Sequence, residues 1–378
     1  MTVLRVVVDQ MIAPVPGPIG RYAEELTRGL IATAPLDCEV EGIVSSSPPE
    51  RYEQLEAALP GLSGLYKTTL ARRELAATWQ LGLTTSPGGG MIHAPGLLAP
   101  LRRHDRLNDG TQIAVTIHDL LAWTHPGSFT NATVAWHKVM VRRARKHADA
   151  IVVPSHALAE QLCEIADFGD RVQVIPGAGR SNLSVPLDAN KRALALGLPE
   201  TFVLATGSLE PRKGVTALIE GLGASGAPDV PLLILGSDSW GEIELAAIVD
   251  EAGLPEGRVR ALGTLSDEDY AVTLARATVF VNPSLEEGFA SSIIDAFRFE
   301  TPVVHSDAPA LVEVAGDAGV AVAREPAKEY PGRLAASIAA VLGDDERAAR
   351  LRISGADRAR AFSWRDAAER VWQLHADL

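Results

Sequence analysis

Two adjacent cations, Arg212 and Lys213, lie in a segment whose position suits a phosphate. The segment, Thr206–Gly214 (TGSLEPRKG), follows the apolar run Phe202–Ala205 and precedes a helical pattern of apolar residues. Open parallel sheets bind ligands at the carboxyl ends of their strands, where this pair is expected. Cations at the start of a helix are unfavourable unless an anion neutralises them. The pair therefore predicts an anion site, and two exposed loop cations are the alternative.

Two carboxylates, Glu287 and Asp295, flank a second loop in the stretch Thr278–Val304, whose sequence is TVFVNPSLEEGFASSIIDAFRFETPVV. The stretch predicts a buried strand, a loop and a helix with Ser291 or Ser292 as its N-cap. Free N–H groups and the dipole at the start of a helix suit a phosphate. We therefore expect a site for the phosphate and sugar halves of one ligand. Two alternatives stay open: a capping box formed by Ser292 and Asp295, and a solvated Glu287.

The segments GSLEPRKG and PSLEEGFASSIIDAF together resemble the retaining glycosyltransferases of family four, which have the GT-B architecture. The resemblance implies that Arg212 and Lys213 hold the diphosphate of a nucleotide sugar. It implies further that Glu287 contacts the donor sugar and Asp295 the ribose. The chain departs from the family pattern with Asp rather than Glu at 295, and with Ala-Ser-Ser rather than Gly-Leu-Pro at 290–292. The resemblance spans nearly the whole chain and is strongest in the second half.

The first half of the chain contributes further residues through the same resemblance. The loop GPIGRYAEEL resembles the family's loop against the donor diphosphate or the acceptor, although a plain turn is the alternative. His118 follows the predicted strand Gln112–Ile117 and matches a family His that approaches the transferred sugar; a structural His is the alternative. The predicted catalytic residues are His118, Glu287, Arg212 and Lys213, and the predicted substrate-binding residues are Gly20, Arg21, Ser208, Gly236, Thr264, Leu265, Gly288, Phe289, Ala290, Ser291 and Asp295.

Apolar runs that alternate with helical patterns predict an α/β protein with mainly parallel sheets. The resemblance implies two Rossmann-like domains that face a central cleft: an acceptor-side domain at 1–180, a nucleotide-sugar domain at 181–355, and a terminal helix at 356–378 that packs back on the first domain. Strands are expected at Arg5–Val8, Val40–Val44, Met91–Ala94, Gln112–Ile117, Ala148–Pro154, Val172–Pro176, Phe202–Ala205, Leu232–Leu235, Val259–Ala261, Val279–Val281 and Val303–His305.

Several other segments carry weaker expectations. The predicted helix Asn131–His147 bears a basic run of residues 142–146, for which a solvated face is favoured over an anionic acceptor or a lipid headgroup. Ser155 is the expected N-cap of the next helix. A loop is expected at Ser86–Gly90, and the chain from Arg350 to its end is expected to be helical.

The composition limits the classes of protein. Hydrophobic residues make up 47% and charged residues 22% of the 378 residues, as in ordinary globular chains, and the net charge of −13 argues against nucleic-acid binding. Cys38 and Cys163 are expected to be reduced thiols in a cytoplasmic protein. No apolar stretch approaches a membrane span, and peripheral contact with the inner face of a membrane stays open. No His/Asp cluster has the spacing of a metal site, so we expect neither a metal nor a cofactor.

The function that the resemblance implies is the transfer of a hexose of mannose or glucose type from a nucleoside-diphosphate sugar to a hydroxyl of a carbohydrate or lipid-linked acceptor, in cell-surface polysaccharide or glycolipid synthesis. The resemblance implies retention at the anomeric carbon. The alternatives are a degenerate partner subunit that binds nucleotide sugar, and a nucleotide-sugar 2-epimerase. A dinucleotide oxidoreductase is disfavoured because no Gly-x-Gly-x-x-Gly turn follows a strand.

Overall fold

The computed structural model describes residues 2–83 and 88–378, so the beginning of the loop expected at Ser86–Gly90 lies outside the described residues. The chain divides into two compact units. Unit 1 comprises Met1–Gly177 and Ser363–Leu378, and unit 2 comprises Ala178–Phe362. The boundaries expected from the sequence lie after residues 180 and 355.

Unit 1 is built on a parallel sheet. Its strands are β1 (Thr2–Val7), β2 (Cys38–Val44), β3 (Gly64–Lys67), β4 (Met91–Ala94), β5 (Gln112–Thr116), β6 (Ala150–Val153) and β7 (Val172–Val174), in the spatial order β3-β2-β1-β4-β5-β6-β7. Its helices are α1 (Gly17–Ala32), α2 (Pro49–Ala58), α3 (Arg72–Leu81), α4 (Arg106–Asp109), α5 (Leu121–Thr124), α6 (Asn131–His147), α7 (His156–Ile165) and, from the end of the chain, α16 (Trp364–Asp377).

Unit 2 has its own parallel sheet. The strands are β8 (Val203–Thr206), β9 (Leu232–Leu235), β12 (Val259–Ala261), β13 (Val279–Asn282), β14 (Val303–Ser306) and β15 (Val320–Val322), in the order β12-β9-β8-β13-β14-β15. A small antiparallel hairpin pairs β10 (Ser239–Trp240) with β11 (Ile243–Glu244). The helices are α8 (Ala189–Ala195), α9 (Val215–Gly223), α10 (Leu245–Glu251), α11 (Asp267–Arg276), α12 (Ser291–Arg298), α13 (Pro309–Ala315), α14 (Tyr330–Leu342) and α15 (Asp345–Ala359).

The predicted α/β architecture of two parallel-sheet domains is confirmed. The predicted strands recur within about three residues at each end, because most of them are buried apolar runs. Four strands were not predicted: β3 and β15, which lie at the edges of their sheets, and the short strands β10 and β11 of the hairpin. The sequence of β3 is GLYK, and its residues are half-buried or exposed, while β10, β11 and β15 are only two or three residues long, so none of the four shows the longer apolar run of a buried strand.

The start of α12 differs from the prediction. Its N-cap is Ala290, which has no side chain that could cap, and Ser291 is the first helical residue. The expected serine N-cap is therefore wrong. The alternative of a capping box is wrong as well. The Asp295 carboxylate accepts a hydrogen bond from Arg180 N at 2.8 Å and not from a backbone N–H group at the start of α12. Ser155, in contrast, caps α7 as predicted by accepting from Leu158 N.

The terminal helix expected from Arg350 is divided into α15 and α16. The break carries Phe362, the last residue of unit 2. Within unit 1, α16 packs closely on α1, where a Cβ on Gly29 would stand 2.8 Å from the Trp364 carbonyl oxygen. The indole N–H of Trp372 donates to the Leu30 carbonyl at 3.1 Å.

The parallel pairing of β8 with β13 places the two sequence motifs of unit 2 side by side. The Leu285 amide donates to the Arg212 carbonyl at 2.7 Å, so the loops that follow these strands are bonded together. Gly214 makes the approach possible because it has φ +66° and because a Cβ there would lie 2.0 Å from the Pro283 carbonyl oxygen. A side chain at this position is excluded on both grounds.

We expect Gly214→Ala to destabilise unit 2 by more than the strain of a positive φ alone, which is about 1–2 kcal/mol. The overlap with Pro283 should add roughly 1–3 kcal/mol. The matched control is Gly226→Ala, because Gly226 also has a positive φ of +83°, but no atom of the described residues lies within 4 Å of the place its Cβ would take. Urea unfolding of both variants gives the comparison, and equal losses for the two would show that the close approach contributes nothing.

Candidate active site

Four charged side chains form a compact group at the end of β8 and β13. Lys213 Nζ donates to Glu287 Oε1 at 2.5 Å, and Arg212 Nη1 lies 3.8 Å from Glu287 Oε2. Arg212 Nε donates to Glu210 Oε1 at 2.7 Å. The structure therefore brings together Arg212, Lys213 and Glu287, the three residues of this unit that were predicted to be catalytic. Glu210 was missed, although it lies inside the GSLEPRKG motif.

The loop that carries Glu287 is fixed by side chains from three other elements. Ser284 Oγ donates to Glu287 Oε1 at 2.8 Å, while Ser306, at the end of β14, donates to the Ser284 carbonyl. Tyr330, at the start of α14, donates to the Pro283 carbonyl at 2.8 Å, and Arg324 donates to the Leu285 carbonyl. The sequence did not predict the supports from Ser306, Tyr330 and Arg324, because each comes from a part of the chain distant from the loop.

The remaining predicted residues of unit 2 lie at the same sheet edge. Ser208 follows β8, and its hydroxyl accepts from Glu210 N at 3.4 Å. Gly236 follows β9, and a Cβ there would stand 2.3 Å from the Gly207 carbonyl, so close packing of β8 and β9 by itself requires glycine. Thr264 is exposed after β12, whereas Leu265 is half-buried against the core.

The residues between Glu287 and α12 are mostly covered. Gly288 and Ala290 are buried, and Ser291 is exposed on the first turn of the helix. Phe289 is half-buried and meets the ring of Phe362 edge-on, with 6.0 Å between ring centroids. Phe289 is thus engaged by packing within unit 2.

Asp295 belongs to a second polar group, separate from the one around Lys213. Its Oδ1 accepts from Arg180 N at 2.8 Å and its Oδ2 from the Tyr270 hydroxyl at 3.2 Å, and the residue is 2% exposed. The Arg180 guanidinium lies over the Tyr270 ring at 4.1 Å and pairs with Asp267 at 2.6 Å. Burial raises the pKa of Asp295 to about 6, against the opposing effects of Arg180, Arg298 and the Tyr270 hydroxyl. A contact of Asp295 with ribose stays a prediction.

In unit 1, His118 follows β5 and is held by its surroundings. Its Nε2 lies 2.7 Å from the Pro95 carbonyl, which can only accept, so Nε2 carries the proton. Burial lowers the pKa of His118 below its usual value, although the Pro95 carbonyl and Asp119 oppose the shift. The ring is therefore neutral at pH 7, with Nδ1 as an acceptor. Tyr22 packs edge-on against it, with 4.5 Å between centroids.

Gly20 and Arg21 lie on the first turns of α1. Gly20 is buried, and a Cβ there would meet Pro16 Cβ at 2.6 Å and the Gln10 carbonyl at 3.1 Å. Close backbone packing therefore accounts for this glycine without a ligand. Arg21 is half-buried.

A cavity of about 320 Å³ opens beside His118. It lies at the carboxyl ends of β1, β4 and β5 and is lined mainly by apolar groups, among them Ile19, Ala76, Leu97 and Leu98. Trp136 and Asp119 also line it, and the buried indole N–H of Trp136 has no hydrogen-bond partner among the described residues. The cavity can therefore receive a small organic group that offers one hydrogen-bond acceptor.

The basic run on α6 is partly structural. Arg143 donates to the Leu101 carbonyl, and Arg145 donates to the Asp167 carbonyl at 2.9 Å. The favoured prediction of a solvated face is therefore wrong for Arg143, which is half-buried. Among residues 2–83 and 88–378, no cluster of three or more His, Cys, Asp or Glu side chains is arranged to hold a metal.

Two family profiles match this chain. The profile described as "Glycosyl transferases group 1" matches residues 188–358, and that described as "Glycosyltransferase Family 4" matches residues 19–178. The chain belongs to the group 1 glycosyltransferases. This glycosyltransferase carries the Arg-Lys pair and Glu287 inside the first of these matches, and Gly20, Arg21 and His118 inside the second.

Curated relatives of this glycosyltransferase include two mannosyltransferases. The O-antigen chain mannosyltransferase B of Escherichia coli is 27% identical over 287 residues, which are 72% of this chain and 71% of the relative. The MMP alpha-(1→4)-mannosyltransferase of Mycolicibacterium hassiacum is 29% identical over 330 residues, 80% and 77% of the two chains.

Solved structures with the GT-B fold match over the whole chain. Sucrose-phosphate synthase from Thermosynechococcus elongatus has a TM-score of 0.74 at 21% identity and covers 100% of this chain and 99% of its own. HepE from Anabaena, in complex with UDP and glucose, has a TM-score of 0.74 at 18% identity and covers 100% of both chains. In the part of this chain that the structure describes, no helix is both long and apolar enough to cross a membrane.

The buried Asp295 predicts a specific pH dependence of stability. Because its pKa is about 6 in the folded chain and 3.8 without the fold, the folded state keeps a proton that the unfolded state loses as the pH rises. Relative to Asp295→Asn, the wild type should lose roughly 2–3 kcal/mol of unfolding free energy between about pH 4 and pH 6.

Denaturant unfolding at several pH values measures this difference. Asp267→Asn is the matched control, because it removes the other, 42% exposed carboxylate partner of Arg180. Parallel stability curves for wild type and Asp295→Asn across this range would contradict the assigned protonation.

Proposed function

We propose that this glycosyltransferase moves mannose from a nucleoside-diphosphate mannose to a hydroxyl of a carbohydrate or lipid-linked acceptor, with retention at the anomeric carbon and without a metal. The observation that carries the donor class is the placement of Arg212 and Lys213 beside Glu287 at the ends of β8 and β13. The choice of mannose over glucose is supported by the two mannosyltransferase relatives.

The transfer must stabilise the departing diphosphate and a positively charged sugar ring. Arg212 and Lys213 supply two cations to the phosphates, and the first turn of α12 adds free N–H groups and a positive dipole end. The backbone of the loop that carries Glu287 is fixed before the donor binds, because it is bonded to β14, α14 and Arg324. Prearranged charge of this kind is the largest contribution to many enzymatic rate enhancements.

The Glu287 carboxylate and His118 serve the sugar. Glu287 is held by Ser284, and its carboxylate accepts hydrogen bonds from sugar hydroxyl groups. Its negative charge also stabilises the oxocarbenium-like ring. The neutral His118 ring offers Nδ1 as an acceptor for one hydroxyl, since Nε2–H is committed to Pro95. His118 is thereby a positioning group for the transferred sugar.

The acceptor occupies the cavity beside His118 in unit 1. The cavity is large enough for one sugar-sized group, and its lining offers Trp136 and apolar side chains for the faces of such a ring. The Asp119 carboxylate, which lines the same cavity, can accept a hydrogen bond from a hydroxyl group of the acceptor.

The first experiment is a thermal-shift panel of UDP, GDP, ADP and their glucose and mannose conjugates, with and without magnesium. Binding at about a hundred times the dissociation constant stabilises by about 2.7 kcal/mol. We expect a nucleotide-mannose to stabilise the protein without magnesium.

Arg212→Ala should weaken nucleoside-diphosphate binding at least tenfold while leaving free-nucleoside binding nearly unchanged, because only the diphosphate contacts the guanidinium. Equal losses would contradict the diphosphate role.

Turnover by the isolated protein separates the enzyme from the alternatives. NMR of the product should show the donor's anomeric configuration. Tight binding of nucleotide sugar without transfer to any acceptor would favour the partner-subunit alternative, and release of the epimeric sugar would favour the epimerase.

Ala76→Phe tests the acceptor cavity. Ala76 lines it from α3, so a phenyl group there should fill the space and raise the acceptor KM at least tenfold, while donor binding stays unchanged. Ala77→Phe is the matched control, because Ala77 lies on the same helix but is exposed. Steady-state kinetics with varied acceptor decide the question, and an unchanged KM in Ala76→Phe would place the acceptor elsewhere.

A further inference from the structure

Glu287 is predicted to serve the sugar, yet its strongest contact is with a phosphate-binding cation. Its Oε1 accepts from Lys213 Nζ at 2.5 Å and from Ser284 Oγ at 2.8 Å. The three side chains of Glu287, Lys213 and Arg212 are only 16%, 21% and 11% exposed. Water screens such contacts poorly, so the charges interact strongly.

The charge balance of this group has a consequence for the donor. Two cations, Arg212 and Lys213, face two carboxylates, Glu210 and Glu287, and the four formal charges sum to zero. A diphosphate beside them adds negative charge. Within this group Glu210 is bonded to Arg212, whereas Glu287 is the carboxylate that, under the proposed function, can exchange its contact with Lys213 for hydroxyl groups of the bound sugar. Repulsion by the phosphates is therefore relieved most readily by moving Glu287 away from Lys213.

We propose that Glu287 and the donor diphosphate compete for Lys213, and that the hexose of an intact donor supplies the hydroxyl groups that compensate Glu287. This inference rests on the proposed function. When an intact nucleotide sugar binds, the Lys213–Glu287 contact is lost, but the diphosphate then pairs with Lys213 and the sugar hydroxyl groups bind Glu287. The nucleoside diphosphate that is left after transfer pairs with Lys213 but leaves Glu287 without sugar hydroxyl groups. Glu287 therefore returns to Lys213 and promotes release of the nucleoside diphosphate.

Glu287 is thus a specificity-determining residue that makes the site prefer the intact donor over the product. Binding of the diphosphate and binding of the sugar are therefore coupled, because each changes the binding free energy of the other. A residue that served only the sugar would leave the affinity for the bare diphosphate unchanged.

The test compares dissociation constants for the nucleoside diphosphate and its sugar conjugate, measured by calorimetry on the full chain. Glu287→Gln keeps the shape of the side chain and an acceptor for Ser284 but removes the charge that competes for Lys213. We expect it to bind the nucleoside diphosphate roughly tenfold tighter, the size of one partly buried charge-assisted hydrogen bond. Its affinity for the sugar conjugate should be unchanged or weaker, so the preference for the intact donor falls.

Glu286→Gln is the matched control, because it removes the same charge one residue earlier and leaves the Lys213–Glu287 pair in place. A tenfold gain confined to Glu287→Gln supports the proposal. Unchanged or weaker diphosphate binding in Glu287→Gln overturns it, as does an equal gain in Glu286→Gln. A thermal melt of each variant confirms that it is folded.

The failure of this inference and the failure of the proposed function give different results. If wild type binds both the nucleoside diphosphate and the sugar conjugate, but Glu287→Gln does not bind the diphosphate more tightly, only the competition for Lys213 is refuted. If wild type binds neither compound, the proposed donor site itself is refuted, and the competition with it.

Discussion

The candidate donor site depends on the parallel pairing of β8 with β13. Parallel strands end at the same edge of a sheet, so this pairing sets two loops from distant parts of the chain next to each other. Gly214 allows the backbones to approach, and the Leu285 amide closes the contact by donating to the Arg212 carbonyl. The ion pairs of Arg212, Lys213 and Glu287 follow from that backbone arrangement. Strand pairing therefore determines which charged side chains come close enough to interact.

The charged group is stable because each of its carboxylates faces a cation. Ion pairs that are largely removed from water cost desolvation energy, which the geometry must offset. Here Ser284, Ser306 and Tyr330 hold the loop in place, so little further ordering is required when a ligand binds. A prearranged site of this kind suits a reaction whose main requirement is the stabilisation of charge.

The Asp295 carboxylate binds the backbone of its own unit. This side chain is buried against the segment that begins unit 2, where it accepts from Arg180 N. A Cβ on Gly179 would stand 2.4 Å from Asp295 Oδ1, so the fit between this segment and the carboxylate is tight. The resemblance predicts that this position contacts a ligand, and in this chain its carboxylate holds the Arg180 backbone.

The sequence by itself determined the α/β class, most strands, the family and the two charged motifs of unit 2, because buried apolar runs and short charged motifs are local signals. It did not determine the two edge strands, the N-cap of α12 or the break at Phe362, because these depend on packing against other elements. Only the tertiary structure decided that Lys213 pairs with Glu287 and that Asp295 binds Arg180 N. Such contacts join residues more than seventy positions apart, and sequence patterns do not specify which side chains meet when strands pair.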